Sequence, residues 1–263
     1  MNLMHLFIAE SIKLKSTMSL YFSLIVSILV VGLVFIGHNI DVHTLCMMNE
    51  NPWLLYFNRA HCIITGFMIV PICLFLILSF FYVEHKADAQ KLLYTFPNPR
   101  WQLLLVKLIV ILLCCVWIFI SFVLFMVVSG YLLAWRFPEY ELSYYGPPIW
   151  ESLKLMYHTF ISCLGIIAIQ YFLHRLFKSY LLPLGIGFLA FLSGFIIASM
   201  NLSLCKYHPY SYPVIVRDLN FIRSDVRELY AEGWISNLEI YSLLIFVFFI
   251  GLSILIDRRK QIK

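Results

Sequence analysis

Six uncharged apolar runs divide this chain, and they decide most of what it can fold into. They cover residues 20–37, 62–83, 108–133, 155–173, 180–200 and 240–256. A helix needs ~20 apolar residues to cross the hydrocarbon of a bilayer, because it rises only ~1.5 Å per residue. In lipid every backbone N–H and C=O must be satisfied within the segment, so runs of this length are helices. The composition agrees: 62% of the 263 residues are hydrophobic and 13% are charged. A soluble domain has about a quarter of its residues charged. The expected fold is all-α and integral to the membrane. It has six transmembrane helices in one domain over residues 1–263, with no cleavable signal ahead of the first run.

The charges say which way the bundle faces. Six spans put both termini on one side. With them go residues 84–107, the turn at 174–178 and the tail after 256, and together these segments hold 12 of the 19 Lys and Arg residues. The three opposite loops, with Glu239 just ahead of the sixth run, hold 10 of the 14 acids. Positive charge stays on the cytoplasmic side, so both termini are expected there. The net charge of +5 is thus a property of loops beside spans, and its partners are anionic lipid headgroups rather than nucleic acid.

Residues 84–107, EHKADAQKLLYTFPNPRWQLLLVK, stand out between the second and third runs. Lys86, Lys91, Arg100 and Lys107 outnumber Glu84 and Asp88, Leu92-Leu93-Tyr94 forms an apolar cluster, and Pro97 opens a Pro-x-Pro-Arg turn. A bare loop needs none of this, whereas a short helix docking on a cytoplasmic partner uses all of it. Residues 3–15 read as an amphipathic helix in the same interface, with Leu3, Met4, Phe7, Ile8, Ser11 and Leu14 on one face.

The opposite side carries the longest loop, residues 201–237. Its first half holds His208, Pro209, Tyr210, Ser211, Tyr212 and Pro213, and residues 219–229 carry a helical apolar stripe expected on the outer membrane surface. Ser236 and Glu239 form a capping box for the last helix. In the fifth run Ala190, Gly194 and Ala198 are spaced four apart, a stripe that lets another helix approach closely. Pro71 is expected to kink the second span. Cys73, Cys114, Cys115 and Cys163 read as small hydrophobes inside the runs. Cys46 and Cys205 fall in outer loops, as two free thiols or as a disulfide.

Several activities lack their chemistry here. No Asp, Glu, Lys or Arg sits in the middle of a run, which argues against a proton- or ion-driven carrier and an intramembrane hydrolase. His158 and His174 lie roughly 24 Å apart along one helix, so they cannot share a metal, and each reads as an interface histidine. No GxxxxGK[ST] phosphate loop is present, so the chain does not hydrolyse ATP itself. A bundle of this kind does work only if a partner supplies the energy.

Glu10 and Lys13 in the N-terminal segment, Glu84 directly after the second run, and Leu92, Leu93, Pro97, Arg100 and Lys107 ahead of the third resemble the permease subunits of ABC-2 type exporters. Span number, orientation and the large loop after the fifth run fit as well. The segment His208–Pro213 is similar to the same region of lantibiotic self-immunity permeases. In one respect the chain departs from that pattern: relatives often carry glycine shortly after the glutamate, where this chain has Lys86, Ala87, Asp88 and Ala89.

The resemblance implies two permease subunits, the second the same or a related chain, on two cytoplasmic ABC ATPases in the inner membrane of a bacterium. ATP and Mg would bind the ATPases, with no cofactor in this chain. Glu84, Lys86, Lys91, Leu92, Leu93, Pro97 and Arg100 would form the ATPase-coupling segment. Pro209, Tyr210, Tyr212 and Pro213 would form an outer gate or cargo contact, and Ala190, Gly194 and Ala198 a packing stripe. The implied cargo is a lantibiotic-like or other antimicrobial peptide. The alternatives are another lipophilic drug, a lipid-linked glycan or an ion, or a scaffold or sensor subunit that transports nothing.

Overall fold

The computed structural model describes residues 3–15, 19–40, 51–86, 100–138, 142–177, 179–200, 202–218 and 235–261. Within them every regular element is helical. An N-terminal helix α1 (Leu3–Lys15) precedes α2 (Ser19–Ile40). The second span is continuous from α3 (Pro52–Ile63) through a π turn (Ile64–Met68) into α4 (Ile69–Lys86). Then come α5 (Arg100–Arg136), α6 (Ile149–Leu176) and α7 (Leu181–Met200). Two short helices, α8 (Leu202–Cys205) and α9 (Tyr212–Asp218), flank a 3₁₀ turn at Pro209–Ser211, and α10 (Asn237–Gln261) ends the chain.

Five of these helices are long and apolar enough to cross a membrane: Pro52–Val83, Trp101–Arg136, Ile149–Leu176, Leu181–Met200 and Asn237–Ile256. Leu24–Gly37, within α2, is a shorter apolar helix. The chain is an all-α membrane protein. Several helices outrun their apolar runs. The second begins at Pro52 instead of residue 62, because Trp53, Tyr56, Phe57 and Ala60 are all buried there. Asn51 caps it by accepting the Trp53 N–H at 3.0 Å, and Pro52 occupies the first turn, where no N–H is required. The Trp53 indole donates to the carbonyls of Leu142 and Tyr145, pinning the 142–145 turn over this helix end.

Pro71 shows how the second span accommodates a proline. Its ring clashes with the carbonyl four residues back and supplies no N–H. Just ahead of it the helix widens to the π turn, where the Ile69 N–H bonds to Ile64 O five residues back. The Thr65 hydroxyl takes up the His61 carbonyl at 2.6 Å.

The bundle core is lined by α4, α5 and α6. The most extensive pairing is α6 with α10, while α1 and α2 both pack on α5. Close approach of α6 and α10 centres on Gly165, where an added Cβ would lie 3.1 Å from Ser242 Oγ, and the Ser242 hydroxyl donates to the Ile161 carbonyl at 2.8 Å. On α1 the buried face is Leu6 and Glu10, with Phe7 and Ser11 half-buried, and Ile8 is 45% exposed. The face expected through Ile8 is therefore rotated toward α5. Hydrophobicity alone could not choose, since an apolar side chain is equally at home against lipid. Leu3, Met4 and Leu14 lie outside the described side chains.

Cys73, Cys114, Cys115 and Cys163 are buried free thiols, as read from their surroundings. Cys73, Cys115 and Cys163, from three helices, are buried in the same core cluster. Cys205 is also buried and forms no disulfide among the described residues, and Cys46 lies outside them.

Candidate functional site

Alternation of the spans puts residues 86, 100, 176 and 181 at the end of the bundle shared with the chain termini. Residues 52, 136, 149, 200 and 237 lie at the other. Each end carries a candidate site.

At the far end the loop after α7 turns back into the bundle. Tyr210, Ser211, Tyr212, Pro213, Val214, Ile215 and Val216 are buried, and α9 packs against the π turn of the second span and against α6. The Tyr212 hydroxyl donates to Lys206 O at 2.8 Å, and the Ser211 hydroxyl lies 2.6 Å from His208 O and 2.9 Å from Cys205 O. These bonds close the 205–212 segment on itself, so its backbone can enter apolar surroundings. Pro209 and Pro213 sit in first-turn positions of their helices, where they cost no hydrogen bond.

The small-residue stripe of α7 receives this segment. A Cβ on Gly194 would lie 2.8 Å from the Tyr210 carbonyl carbon and 3.0 Å from Ser211 N. Ala198 is buried in a second cluster with Cys205, Tyr212, Val214, Ile215, Val216 and Leu238, and Ala190 leans on the main core. The stripe thus meets a short irregular segment, where its spacing alone suggests a long helix.

Tyr210 reaches deepest. Gln170 Nε2 donates to its hydroxyl at 2.8 Å, and Gln170 lies ~31 Å along α6 from Ile149 at helical rise. Gln170 is fully buried, and its Oε1 has no partner among the described residues. An orphan of that kind costs about 1–3 kcal/mol, so the site holds this amide at a cost to stability. Gly187 supplies the room, since a Cβ there would collide with the Gln170 amide. Nearer the far end, Ser193 Oγ donates to Ala190 O and lies 3.1 Å from His208 Nε2. Burial lowers the His208 pKa from its usual 6.5 and pushes that of the Tyr212 phenol up to about 12.

Two histidines read as interfacial are in fact buried. His158 Nδ1 lies 2.6 Å from Glu239 Oε1, and the other carboxylate oxygen accepts the Ser236 N–H at 2.6 Å. The Ser236 hydroxyl accepts the Glu239 N–H at 3.3 Å, which completes the expected capping box. The same carboxylate therefore caps α10 and ties it to α6. The sequence signal was the 236–239 spacing, but nothing local pointed to a residue 81 positions earlier.

His174 lies at the termini end. Its ring stacks on Phe81, with centroids 5.2 Å apart and planes 25° apart, and its Nδ1 lies 2.9 Å from Gln170 O. Tyr171 meets the same Phe81 edge-on at 5.3 Å, and its hydroxyl donates to Leu104 O at 3.2 Å. The buried Lys107 holds its ammonium 4.5 Å from the Phe81 centroid. Beyond this cluster α4 ends at Lys86 and α5 starts at Arg100. Of the expected coupling residues, Lys91, Leu92, Leu93 and Pro97 lie outside the described residues, as do the side chains of Glu84, Lys86 and Arg100. The 219–229 stripe lies outside them as well. No group of three or more His, Cys, Asp or Glu among the described residues is placed to hold a metal ion.

The described residues thus form an apolar helical bundle with the loop after α7 folded back into one end. The sequence of the ABC-2 family transporter proteins is matched over residues 6–194. The chain belongs to that family, whose members are the membrane components of ABC transporters, working with an ATPase. No curated protein and no solved structure matches it.

Proposed function

We propose that the chain is the permease subunit of an ABC exporter that moves an amphipathic, lantibiotic-like peptide out of a bacterial inner membrane. Its termini end is cytoplasmic, two permease subunits form the transmembrane unit, and residues 84–107 take up the work of the ATPase. The observation that carries this reading is the position of Lys86 and Arg100. They end two long helices at the end of the bundle where 12 of the 19 basic residues fall, which supports a cytoplasmic reading of that end. Peptide as cargo is supported by the resemblance of His208–Pro213 to immunity permeases. It is also supported by the aromatic and polar groups that this segment brings into the bundle.

Leu92 and Leu93 supply the apolar grip on the ATPase. A buried leucine contributes ~1.5–3 kcal/mol, against ~0–1 kcal/mol for an exposed ion pair such as Arg100 would make. In the double variant Leu92→Ser, Leu93→Ser the chain should still insert. The ATPase that co-purifies with the native chain should dissociate, or hydrolyse ATP without peptide export. Unchanged association together with unchanged export would overturn the assignment of this stretch.

A further inference from the structure

One turn of α6, Gln170–His174, touches both ends of the mechanism. On its termini side, Tyr171 and His174 clasp Phe81, and Tyr171 bonds to Leu104 O. Phe81 lies just over one turn before α4 ends, and Leu104 and Lys107 lie in the first two turns of α5. These are the roots of α4 and α5, the two stalks that flank residues 87–99 in the sequence. On the other side, Gln170 is bonded to Tyr210, whose backbone rests on Gly194. The His174 ring is in turn bonded to the Gln170 carbonyl. The contacts are contiguous from the stalks to the infolded segment, and every side chain in them is buried.

We infer that Gln170 is a positioning residue for transport: it transmits displacement of the α4 and α5 stalks to the infolded segment 202–218. This rests on the permease reading given above. Three features support a transmitting role over simple adhesion. The amide oxygen has no partner among the described residues, a position that an apolar residue of the same size would fill without an orphaned polar atom. Gly187 lets that amide pack directly on α7, where any side chain would collide with it, so a shift of the α6 turn bears on α7 without an intervening side chain. The Phe81 ring of α4 is contacted by Tyr171 and His174 of α6 and by Lys107 of α5, so a shift of α4 bears directly on both helices. Closely packed groups move between discrete arrangements rather than deforming smoothly.

Contiguity alone does not establish coupling, and a double-variant cycle supplies the test. The full chain is reconstituted in lipid nanodiscs without ATPase, and amide exchange is followed by mass spectrometry over residues 202–218. Phe81→Ala perturbs the stalk, with Lys107→Met as the gentler second variant that keeps the aliphatic stem. In the native background either change should raise exchange in 202–218 by about fivefold or more, the lower range of coupling between distant sites. In a Gln170→Leu background the same changes should leave 202–218 at its Gln170→Leu level. Additive effects, or no effect of either stalk variant on 202–218, would overturn the inference and leave Gln170 as packing. Since no ATPase is present, this result is independent of whether one co-purifies. Failure of the permease reading would show instead as no association by the native chain.

Discussion

Gly194→Ala tests directly whether the loop after α7 sits inside the bundle. The added Cβ would lie 2.8 Å from the Tyr210 carbonyl carbon, 3.0 Å from Ser211 N and 3.0 Å from Tyr210 Cβ. Two of those atoms are backbone, so no side chain can rotate aside. Carbon contacts are comfortable at roughly 3.5–4.0 Å, so the segment must retreat by about 0.7 Å or more. That retreat stretches the Gln170–Tyr210 and Ser193–His208 contacts, now 2.8 and 3.1 Å. Overpacking of this kind costs ~1–3 kcal/mol. Against it stands the gain of alanine over glycine in a helix, ~1 kcal/mol, which strengthens α7 but not the loop. The infolded segment should therefore open more readily by roughly 5–30-fold, the factor that one or two kcal/mol represents. Cys205 reports the opening, being a thiol outside any disulfide among the described residues and fully buried in the closed segment. In a chain whose other cysteines are replaced, its rate of reaction with a maleimide should rise by that factor. Gly185→Ala is the control, because nothing lies within 4 Å of a Cβ there. Equal Cys205 reactivity in the two variants, or no rise in Gly194→Ala, would refute the packing argument.

Breaking the clamp between α6 and α10 should be costly. Glu239→Ala takes the shared carboxylate from His158 and the Ser236 N–H and should lower stability by ~1–3 kcal/mol for each buried group that loses its bond, seen as a fall in melting temperature. Glu239→Gln keeps an acceptor at the helix start and should lose less. The infolded segment should also loosen in acid. Burial lowers the His208 pKa, so between that lowered value and 6.5 the opened segment binds more protons than the closed one. The closed state keeps its full stability above pH 6.5 and loses it as the pH falls below. Amide exchange over 202–218, taken relative to a His208→Asn variant at each pH, should rise on acidification; a ratio independent of pH would refute this.

The spans were legible because the bilayer sets a local rule. A run of apolar residues long enough to cross must be helical whatever it packs against, so residues 108–133 and 155–173 announce α5 and α6 with no knowledge of neighbours. The capping box at Ser236 and Glu239 was legible for the same reason, since all its atoms lie within one turn. The stretch proposed for coupling stands out by its charge and its Leu92-Leu93 pair, again local properties, and those leucines lie outside the described residues.

What the tertiary structure decided are the questions on which hydrophobicity is silent. A tyrosine suits a membrane boundary or a buried hydrogen bond equally well, and only the presence of Gln170 and Gly194 takes Tyr210 inward. The stripe of Ala190, Gly194 and Ala198 says that something comes close, while its partner is fixed by how the chain turns after Met200. His158 finds Glu239, and His174 finds Phe81, across sequence separations that no periodicity encodes. In lipid an apolar face has no preference between neighbour and solvent, so sequence determines which segments are inside the membrane. Shape and a few polar groups determine what each one touches.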